Sequence, residues 1–312
     1  MSILNICIFI LAVFVILQAY SLRQKYKSLS IKQVWLNKIN ELIDQGLFDE
    51  AERYGLSLLK GNLDDFDLYY SLGFCSYQLN RINEAMDYFL KALTLNKKMA
   101  VAWYSLGYAY FHNKNKTEKA TECLKKAIKY SPTLLRAYNT LAIVLDSQGD
   151  TGTAFKLLNR SVKKYGGEAN SLNTLGLFAF KNKDFVSAEK YFTSSLELEN
   201  SPETLCNLGN LYSVQLDYPE AILVFEKAEV LSPGNKQIKY WLGSALYLNR
   251  EFNKALIEFN EALKLDRSFA PALLQRAFVN KKIGKNEEYR SDYEKAVQLD
   301  PSLRVKGDQN EH

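Results

Sequence analysis

Two hydrophobic patterns divide this chain. Residues 3–19 form an unbroken apolar run, ILNICIFILAVFVILQA, in which Asn5 and Gln18 are the strongly polar members. The run is apolar all round, whereas a helix that packs on a soluble core keeps a polar face. Because about 17 to 20 such residues cross the hydrocarbon of a bilayer, the pattern predicts one transmembrane helix. We assign residues 1–22 to this anchor and residues 23–31 to a basic linker.

The charges beside the run predict its orientation. No basic side chain precedes it, and four follow it: Arg23, Lys25, Lys27 and Lys32. The positive-inside rule therefore places the rest of the chain in the cytoplasm, as the body of a single-pass membrane protein. The alternative is a cleaved or oppositely oriented signal-anchor, which would make the protein secreted or periplasmic.

The second pattern repeats with a period of 34 residues. A phrase with a central Leu-Gly, such as AWYSLGYAYF at 102–111 or YWLGSALY at 240–247, precedes a phrase with a central Ala, such as KATECLKKAIKYSP at 119–132. Eight such repeats fill residues 32–303, and their first residues are Lys32, Phe66, Ala100, Leu135, Ala169, Pro202, Lys236 and Ala270.

These residues resemble the tetratricopeptide repeat, which carries Leu at position 7, Gly or Ala at position 8 and Ala at position 20. In the six central repeats, Leu followed by Gly or Ala occupies positions 7 and 8, from Leu72-Gly73 to Leu242-Gly243. The resemblance implies an all-α fold, an α-α superhelix of about eight helix-turn-helix repeats preceded by the transmembrane helix. The repeats are 32–65, 66–99, 100–134, 135–168, 169–201, 202–235, 236–269 and 270–303.

The repeated small residues have a physical reason. Gly or Ala at positions 8, 20 and 27 lets the two helices of a repeat approach closely, and neighbouring repeats must stack because neither helix buries its apolar face alone. All six prolines fall between predicted repeats or at the start of a predicted helix, where they are tolerated.

The terminal repeats depart from the pattern. The first carries Lys38-Ile39 at positions 7 and 8, and the last carries Arg276-Ala277 there and Tyr289 at position 20. End repeats of a solenoid must present a solvent-tolerant face. Residues 304–312 form a short polar tail that we expect to be disordered, so repeat eight either caps itself or is covered by a partner.

The resemblance also implies where a partner binds. In this family the first helices line a concave surface through positions 2, 5, 6 and 9. The corresponding candidate groove residues of this chain are aromatic in repeats two, three and seven and polar in the middle repeats: Tyr70, Phe74, Tyr104, Tyr108, Arg136, Asn139, Asn173, Asn207, Asn210, Tyr240 and Trp241.

The asparagines at these positions favour an extended peptide. A carboxamide both donates to and accepts from a peptide backbone, and Asn139, Asn173 and Asn207 recur about one repeat apart. The alternatives are that the aromatic residues belong to the core and that the asparagines are merely tolerated on a polar face. The basic clamp by which some members of the family capture chaperone C-termini is not expected, because Arg136 is the sole Lys or Arg at positions 2, 5, 6 and 9.

Composition adds two constraints. The net charge is +5, and residues 1–31 hold +3 of it, so the body lacks the basic surface that nucleic-acid binding requires. The four cysteines show no CxxC spacing and the chain has two histidines. We therefore expect no disulfide scaffold, no metal site and no cofactor.

These features favour a binding protein over an enzyme. The repeats occupy the whole body, and no phosphate-binding loop, nucleophile elbow or zinc-protease motif is present. We predict a membrane-anchored scaffold that binds a protein or peptide partner and helps to assemble or regulate a membrane-associated complex. A regulatory arm of an enzyme is the remaining alternative, and no small-molecule substrate is expected.

Overall fold

The computed structural model describes residues 18, 31–112 and 116–304. The chain divides into two compact units, unit 1 (Met1–Leu145) and unit 2 (Asp146–His312). Across the described residues the regular structure is helical and contains no strand. We number the helices in chain order, so that odd numbers are the first helices of the repeats (A helices) and even numbers the second helices (B helices).

Unit 1 is a stack of helical hairpins. Its helices are α1 (31–44), α2 (Phe48–Lys60), α3 (Phe66–Gln78), α4 (Ile82–Leu95), α5 (Ala100–His112), α6 (Thr117–Tyr130) and α7 (Leu135–Ser147), the last of which extends two residues into unit 2. Helix α4 packs on α3 of its own hairpin and on α5 of the next, and α2 likewise packs on α3.

Unit 2 repeats this arrangement. Its helices are α8 (Thr151–Tyr165), α9 (Ala169–Lys181), α10 (Phe185–Leu198), α11 (Pro202–Val214), α12 (Tyr218–Leu231), α13 (Lys236–Leu248), α14 (Phe252–Leu265), α15 (Ala270–Lys282) and α16 (Asn286–Leu299), followed by the 3₁₀ turn Pro301–Leu303. The A helices α9, α11, α13 and α15 contact one another in sequence. They therefore form one layer and the B helices another.

The predicted all-α class is confirmed across the described residues. The A helices of repeats two to eight begin at the residues where the sequence pattern places the starts of those repeats. These helices are α3, α5, α7, α9, α11, α13 and α15. Proline occupies one of the first two positions of α11, α12 and α15, where its missing N–H costs no helix bond.

The repeated glycine is a packing site for a phenylalanine ring. A Cβ added at Gly73 would lie 2.7 Å from the ring of Phe89, and one added at Gly209 would lie 2.6 Å from the ring of Phe225. Both rings are almost fully buried. Glycine at position 8 and an aromatic residue at position 24 therefore bring the A and B helices of a repeat into close contact.

The turn between the A and B helices places a left-handed residue at position 15. In repeat two, Arg81 N donates to Ser76 O at 2.8 Å and Asn80 N to Tyr77 O at 2.9 Å, which are the hydrogen bonds of a helix-ending Schellman turn. The residues with positive φ at this position are Gly46, Asn80, Gly149, Lys183, Leu216, Arg250 and Gly284.

The two ends of the chain were predicted to differ from the repeats. The turn Pro301–Leu303 packs on α16, where Val297 is 9% exposed, so repeat eight covers part of its own end. Within the described ranges no helix combines the length and apolarity that a membrane crossing needs. The predicted anchor and linker, apart from Gln18 and Ile31, and the tail beyond Arg304 lie outside the described residues.

Candidate functional site

The candidate face of unit 1 is built by α3, α5 and α7. Positions 2, 5 and 9 of a helix lie three or four residues apart and share one side, while position 8 packs on the B helix. Helix α3 contacts α5, and the guanidinium carbon of Arg136 on α7 lies 5.9 Å from the ring centre of Tyr104 on α5. The three A helices therefore present their positions 2, 5 and 9 side by side.

An apolar cleft opens at the α1–α3 end of this face. Its volume is about 390 Å³. Apolar and aromatic side chains from α1, α3 and the start of α5 line it: Leu36, Ile43, Tyr70, Phe74, Met99 and Val101. Asn40, Asp67 and Ser71 supply its polar lining. The cleft includes two predicted groove residues, Tyr70 and Phe74, and both are half-buried.

An aromatic cluster occupies the middle of the face. The ring of Tyr108 lies 6.0 Å from Tyr104, 5.8 Å from Tyr77 and 4.6 Å from His112 between centroids. Burial raises the pKa of Tyr77 to about 12, with a further contribution from Tyr108 and Tyr104. Burial also raises the pKa of Tyr104, opposed by its hydrogen bond with Thr140. At neutral pH these tyrosines are uncharged hydrogen-bonding groups on an apolar surface.

Helix α7 adds one cation without an ion-pair partner and one acceptor without a donor among the described residues. Arg136 is exposed, and no acidic side chain in the described part of the chain lies within ion-pair distance of it. One turn further on, the Asn139 Oδ1 atom is buried and accepts no hydrogen bond from any described residue. A buried acceptor without a donor is unfavourable in the free protein.

The corresponding residues of unit 2 satisfy one another. Asn207 Nδ2 donates to Asn173 Oδ1 at 2.9 Å, from position 6 of one repeat to position 5 of the preceding one. Asn173 is only 6% exposed. Asn210 is half-buried on the same helix as Asn207. Two of the three predicted asparagines of unit 2 therefore form a hydrogen bond between neighbouring A helices.

The predicted aromatic residues of repeat seven pack against the core of unit 2. Trp241 stacks on Phe225 with 6.3 Å between centroids. Tyr240 contacts Phe259 at 6.2 Å and Phe269 at 5.6 Å. The structure therefore places this pair in side-chain packing between helices, in contrast to the cleft and aromatic cluster of unit 1.

Two half-buried cations of unit 2 that form ion pairs were not among the predicted residues. Arg276 makes a bidentate ion pair with Asp292, with both N–O distances 2.7 Å, and donates to Asn260 Oδ1 at 2.7 Å. Lys239 pairs with Glu229 and lies 3.6 Å from Glu258. Arg276 occupies position 7 of its repeat, where the pattern has leucine. Lys239 occupies position 4 of its repeat, where the pattern has an aromatic residue. Those two departures were the available sequence signals.

Unit 1 contains a comparable buried carboxylate. Glu52 is 7% exposed, accepts a hydrogen bond from Ser76 Oγ at 2.9 Å and pairs with Arg81. Burial and the Glu52 charge raise the pKa of the neighbouring Cys75 thiol to about 12. This cluster lies between the helices of repeats one and two, and its groups already have partners. It serves to hold the repeats together and offers no reactive thiolate at neutral pH.

Models of the tetratricopeptide repeat match four segments of the chain. They cover residues 66–98, 100–134, 206–268 and 270–303, which together are more than half of the 312 residues. The matched segments begin at or near the starts of α3, α5, α11 and α15.

Curated relatives match the repeat region. BBSome complex member BBS4 of Bos taurus is 25% identical over 242 residues, which are 77% of this chain and 46% of that protein. Transcriptional regulator HilA of Salmonella paratyphi A is 29% identical over 135 residues, 43% of this chain and 23% of that protein. Protein O-mannosyl-transferase TMTC3 of Homo sapiens is 25% identical over 199 residues, 62% of this chain and 22% of that protein. The chain spans less than half the length of each.

Solved structures share the fold. The hetero-tetramer Cut9–Hcn1 of the APC/C aligns with a TM-score of 0.63 at 18% identity, over 87% of this chain and 53% of that one. The structure of Pseudomonas aeruginosa PilF aligns with a TM-score of 0.58 at 22% identity, over 65% of this chain and 92% of that one. At these identities the likeness concerns the fold alone.

Proposed function

Because the chain belongs to the tetratricopeptide repeat family, we propose that it is a scaffold that binds a partner protein on the A-helix face of unit 1. The partner segment lies across α3, α5 and α7. It inserts an apolar side chain into the cleft and covers the aromatic cluster.

The observation that carries this proposal is the cleft of about 390 Å³ between α1, α3 and the start of α5. A concave, mostly apolar surface with a few polar groups is the usual form of a binding site. Val101 at its edge is 37% exposed, and Tyr70 and Phe74 present half-buried aromatic surface beside it. Aromatic side chains in such settings contribute a large share of binding energy.

The comparisons agree with an interaction role. One relative is by its name a member of the BBSome complex, and the structure with the highest TM-score quoted above is a hetero-tetramer. Another aligned structure, YrrB, is described as a tetratricopeptide protein with an unusual peptide-binding site; it has a TM-score of 0.50 at 17% identity, over 59% of this chain and 95% of that one. From these proteins we infer for this chain only that it binds a protein or peptide partner.

We further propose that residues 1–22 tether the scaffold to a membrane with the repeats in the cytoplasm. The support is the apolar run at 3–19 and the basic residues that follow it. A tether raises the effective concentration of the repeats near membrane-bound partners, which suits the assembly or regulation of a membrane-associated complex. A cleaved or oppositely oriented segment remains the alternative, and glycosylation-site mapping of the full chain in its native membrane distinguishes them.

We propose a role without catalysis. The clusters Arg276–Asp292 and Glu52–Arg81 are held in internal ion pairs, and the described residues contain no group of His, Cys, Asp and Glu that could hold a metal. The match to a transferase covers 22% of that protein. Purified full chain should therefore bind its partner without turnover.

The test is capture of partners by the full chain from its native membrane, compared between two matched valine variants. Val101 and Val186 are each the second residue of a helix, α5 and α10, where an aspartate is well tolerated. Val101 lines the cleft, whereas Val186 is 80% exposed on a B helix.

Val101→Asp puts a charge into the cleft and should abolish capture of the partners that the wild-type chain crosslinks. Val186→Asp should leave capture unchanged. If Val101→Asp, folded by circular dichroism, captures the same proteins in the same amounts, the cleft is not the binding site and the proposed function is wrong.

A further inference from the structure

The candidate face of unit 1 differs in charge along its length. Position 2 of three successive A helices is Asp67, Val101 and Arg136. The Asp67 carboxylate has an internal partner, because Lys32 Nζ lies 2.5 Å from it and 2.9 Å from Asp65. Arg136 has no such partner among the described residues. The α3 end of the face therefore holds one lysine beside two carboxylates, and the α7 end carries one uncompensated positive charge.

The geometry at the α7 end suits a carboxylate. A guanidinium presents paired donors that match the two oxygens of a carboxylate. Tyr104 lies 5.9 Å from Arg136 and limits the positions that the guanidinium can take. An acidic residue of an extended peptide supplies a side-chain carboxylate that Arg136 can pair with.

The spacing between the two ends follows from helix packing. Packed helices lie about 8–10 Å apart, so the two steps from α3 to α7 cover about 16–20 Å. An extended chain advances about 3.3 Å per residue. In a peptide that lies straight across the face, the residue in the cleft and the residue at Arg136 are therefore about five or six positions apart.

We propose that the partner segment is an extended peptide in which a large apolar residue is separated from an Asp or Glu by about five or six positions. The apolar side chain occupies the cleft, and the carboxylate pairs with Arg136. This specificity rests on the proposed function of the same face. It differs from recognition by a set of basic residues. Here one arginine binds one acidic side chain, and the cleft selects the apolar side chain.

The experiment is a selection from a library of random 14-residue peptides by the full-length chain held in nanodiscs of zwitterionic lipid. Wild type, Arg136→Glu and a control, Arg160→Glu, are compared. Arg160 is an exposed arginine of the B helix α8. Wild type and the control should select the same peptides, with an apolar residue and an acidic residue at the stated spacing.

The selected peptides are then synthesised with one change. Replacing the acidic residue by its amide, Glu→Gln or Asp→Asn, should weaken binding to wild type by about tenfold, a typical effect for one charged contact. The same replacement should strengthen binding to Arg136→Glu, because it removes the repulsion between two carboxylates. Replacing it by Lys should restore binding to Arg136→Glu and not to wild type.

Each outcome separates the two proposals. If wild type selects peptides with an apolar residue and Val101→Asp loses them, but no acidic residue is enriched, the acidic specificity is wrong and the binding face stands. The acidic specificity is also wrong if wild type and Arg136→Glu enrich the same acidic residue equally. If Val101→Asp binds every peptide that wild type selects, the proposed function itself is overturned.

Discussion

Units 1 and 2 share one repeat pattern and use the same helix face differently. In unit 1, position 5 carries Tyr70, which lines the cleft, Tyr104, which belongs to the aromatic cluster, and Asn139, whose acceptor has no described donor. In unit 2, position 5 carries Asn173 and Tyr240, and both are engaged by neighbouring helices. Unit 2 also contains one continuous buried cluster that extends from Ala179 to Ala296.

The difference shows that position in a repeat does not by itself identify a binding residue. A polar side chain at an inward position stabilises the stack when the next helix supplies its partner, as Asn207 does for Asn173. The same residue type becomes available to a ligand when no such partner exists. The following variants test this distinction, beginning with the largest expected effect.

The two arginines of the A helices give the sharpest contrast. Arg276→Met should lower the free energy of unfolding by about 3–5 kcal/mol, because it leaves the Asp292 carboxylate buried without its cation. Arg136→Met should change it by less than about 0.5 kcal/mol, since Arg136 is exposed and pairs with no described acid.

Thermal unfolding of both variants, with hydrogen exchange read by mass spectrometry over 270–303, measures the contrast. Equal losses of stability would contradict the assignment of Arg136 to binding and Arg276 to structure.

The glycines at position 8 should behave alike in both units. Gly73→Ala and Gly209→Ala each place a Cβ within 2.7 Å of a buried phenylalanine ring, and overpacking of this kind costs about 1–3 kcal/mol. Circular dichroism melts of the two variants provide the comparison. A cost confined to one unit would show that the units differ in their packing as well as in their exposed faces.

The asparagines should separate the units by a smaller amount. Asn207→Ala removes the donor of a buried acceptor on Asn173 and should cost about 1–2 kcal/mol. Asn139→Ala removes an acceptor that lacks a donor, so the unfolding midpoint should stay the same or rise. Urea denaturation of both variants tests this, and a marked loss of stability in Asn139→Ala would place that residue in the packing instead.

The smallest effect concerns one tyrosine of unit 2. Burial and the hydrogen bond from Tyr212 to Glu189 raise its pKa to about 12. Because the folded pKa lies above the ordinary value of 10, the contribution to stability is complete below pH 10 and is lost between pH 10 and 12. Tyr212→Phe should cost about 1 kcal/mol at pH 7 and progressively less as the pH rises through that interval.

Ultraviolet absorbance titration checks the pKa directly. Wild type should show one more tyrosine that ionises near pH 12 than Tyr212→Phe does. If the tyrosine lost in Tyr212→Phe is instead one that ionises near pH 10, neither burial nor the Glu189 contact raises the pKa of Tyr212.

Local residues were enough to predict the fold of the repeats. The glycine and alanine positions predicted the close hairpins, and seven A helices begin where the pattern placed them. The pattern also placed Tyr70, Phe74, Tyr104 and Tyr108 together on one side of the A helices. Both the period and the helix face are properties of consecutive residues, which is why the sequence alone predicts them.

The state of each candidate side chain could not be predicted in this way. Whether Asn173 finds Asn207 depends on the offset between neighbouring A helices, and that offset is set by packing over 34 residues rather than by local pattern. The partner of Arg276 lies 16 residues away on another helix. Arg276 and Lys239 depart from the repeat pattern and so mark unusual positions. The acidic residues that pair with them are identified only by the three-dimensional structure.

The left-handed turn residue at position 15 has a consequence for handling the protein. Lys183, Leu216 and Arg250 adopt positive φ there, at about 1 kcal/mol each for a residue with a Cβ. Glycine at each site would relieve that strain, partly offset by its greater freedom in the unfolded chain. None of the three belongs to the face of unit 1, so a triple glycine variant offers a more heat-resistant reagent with its recognition surface intact, suited to isolating a weakly held partner.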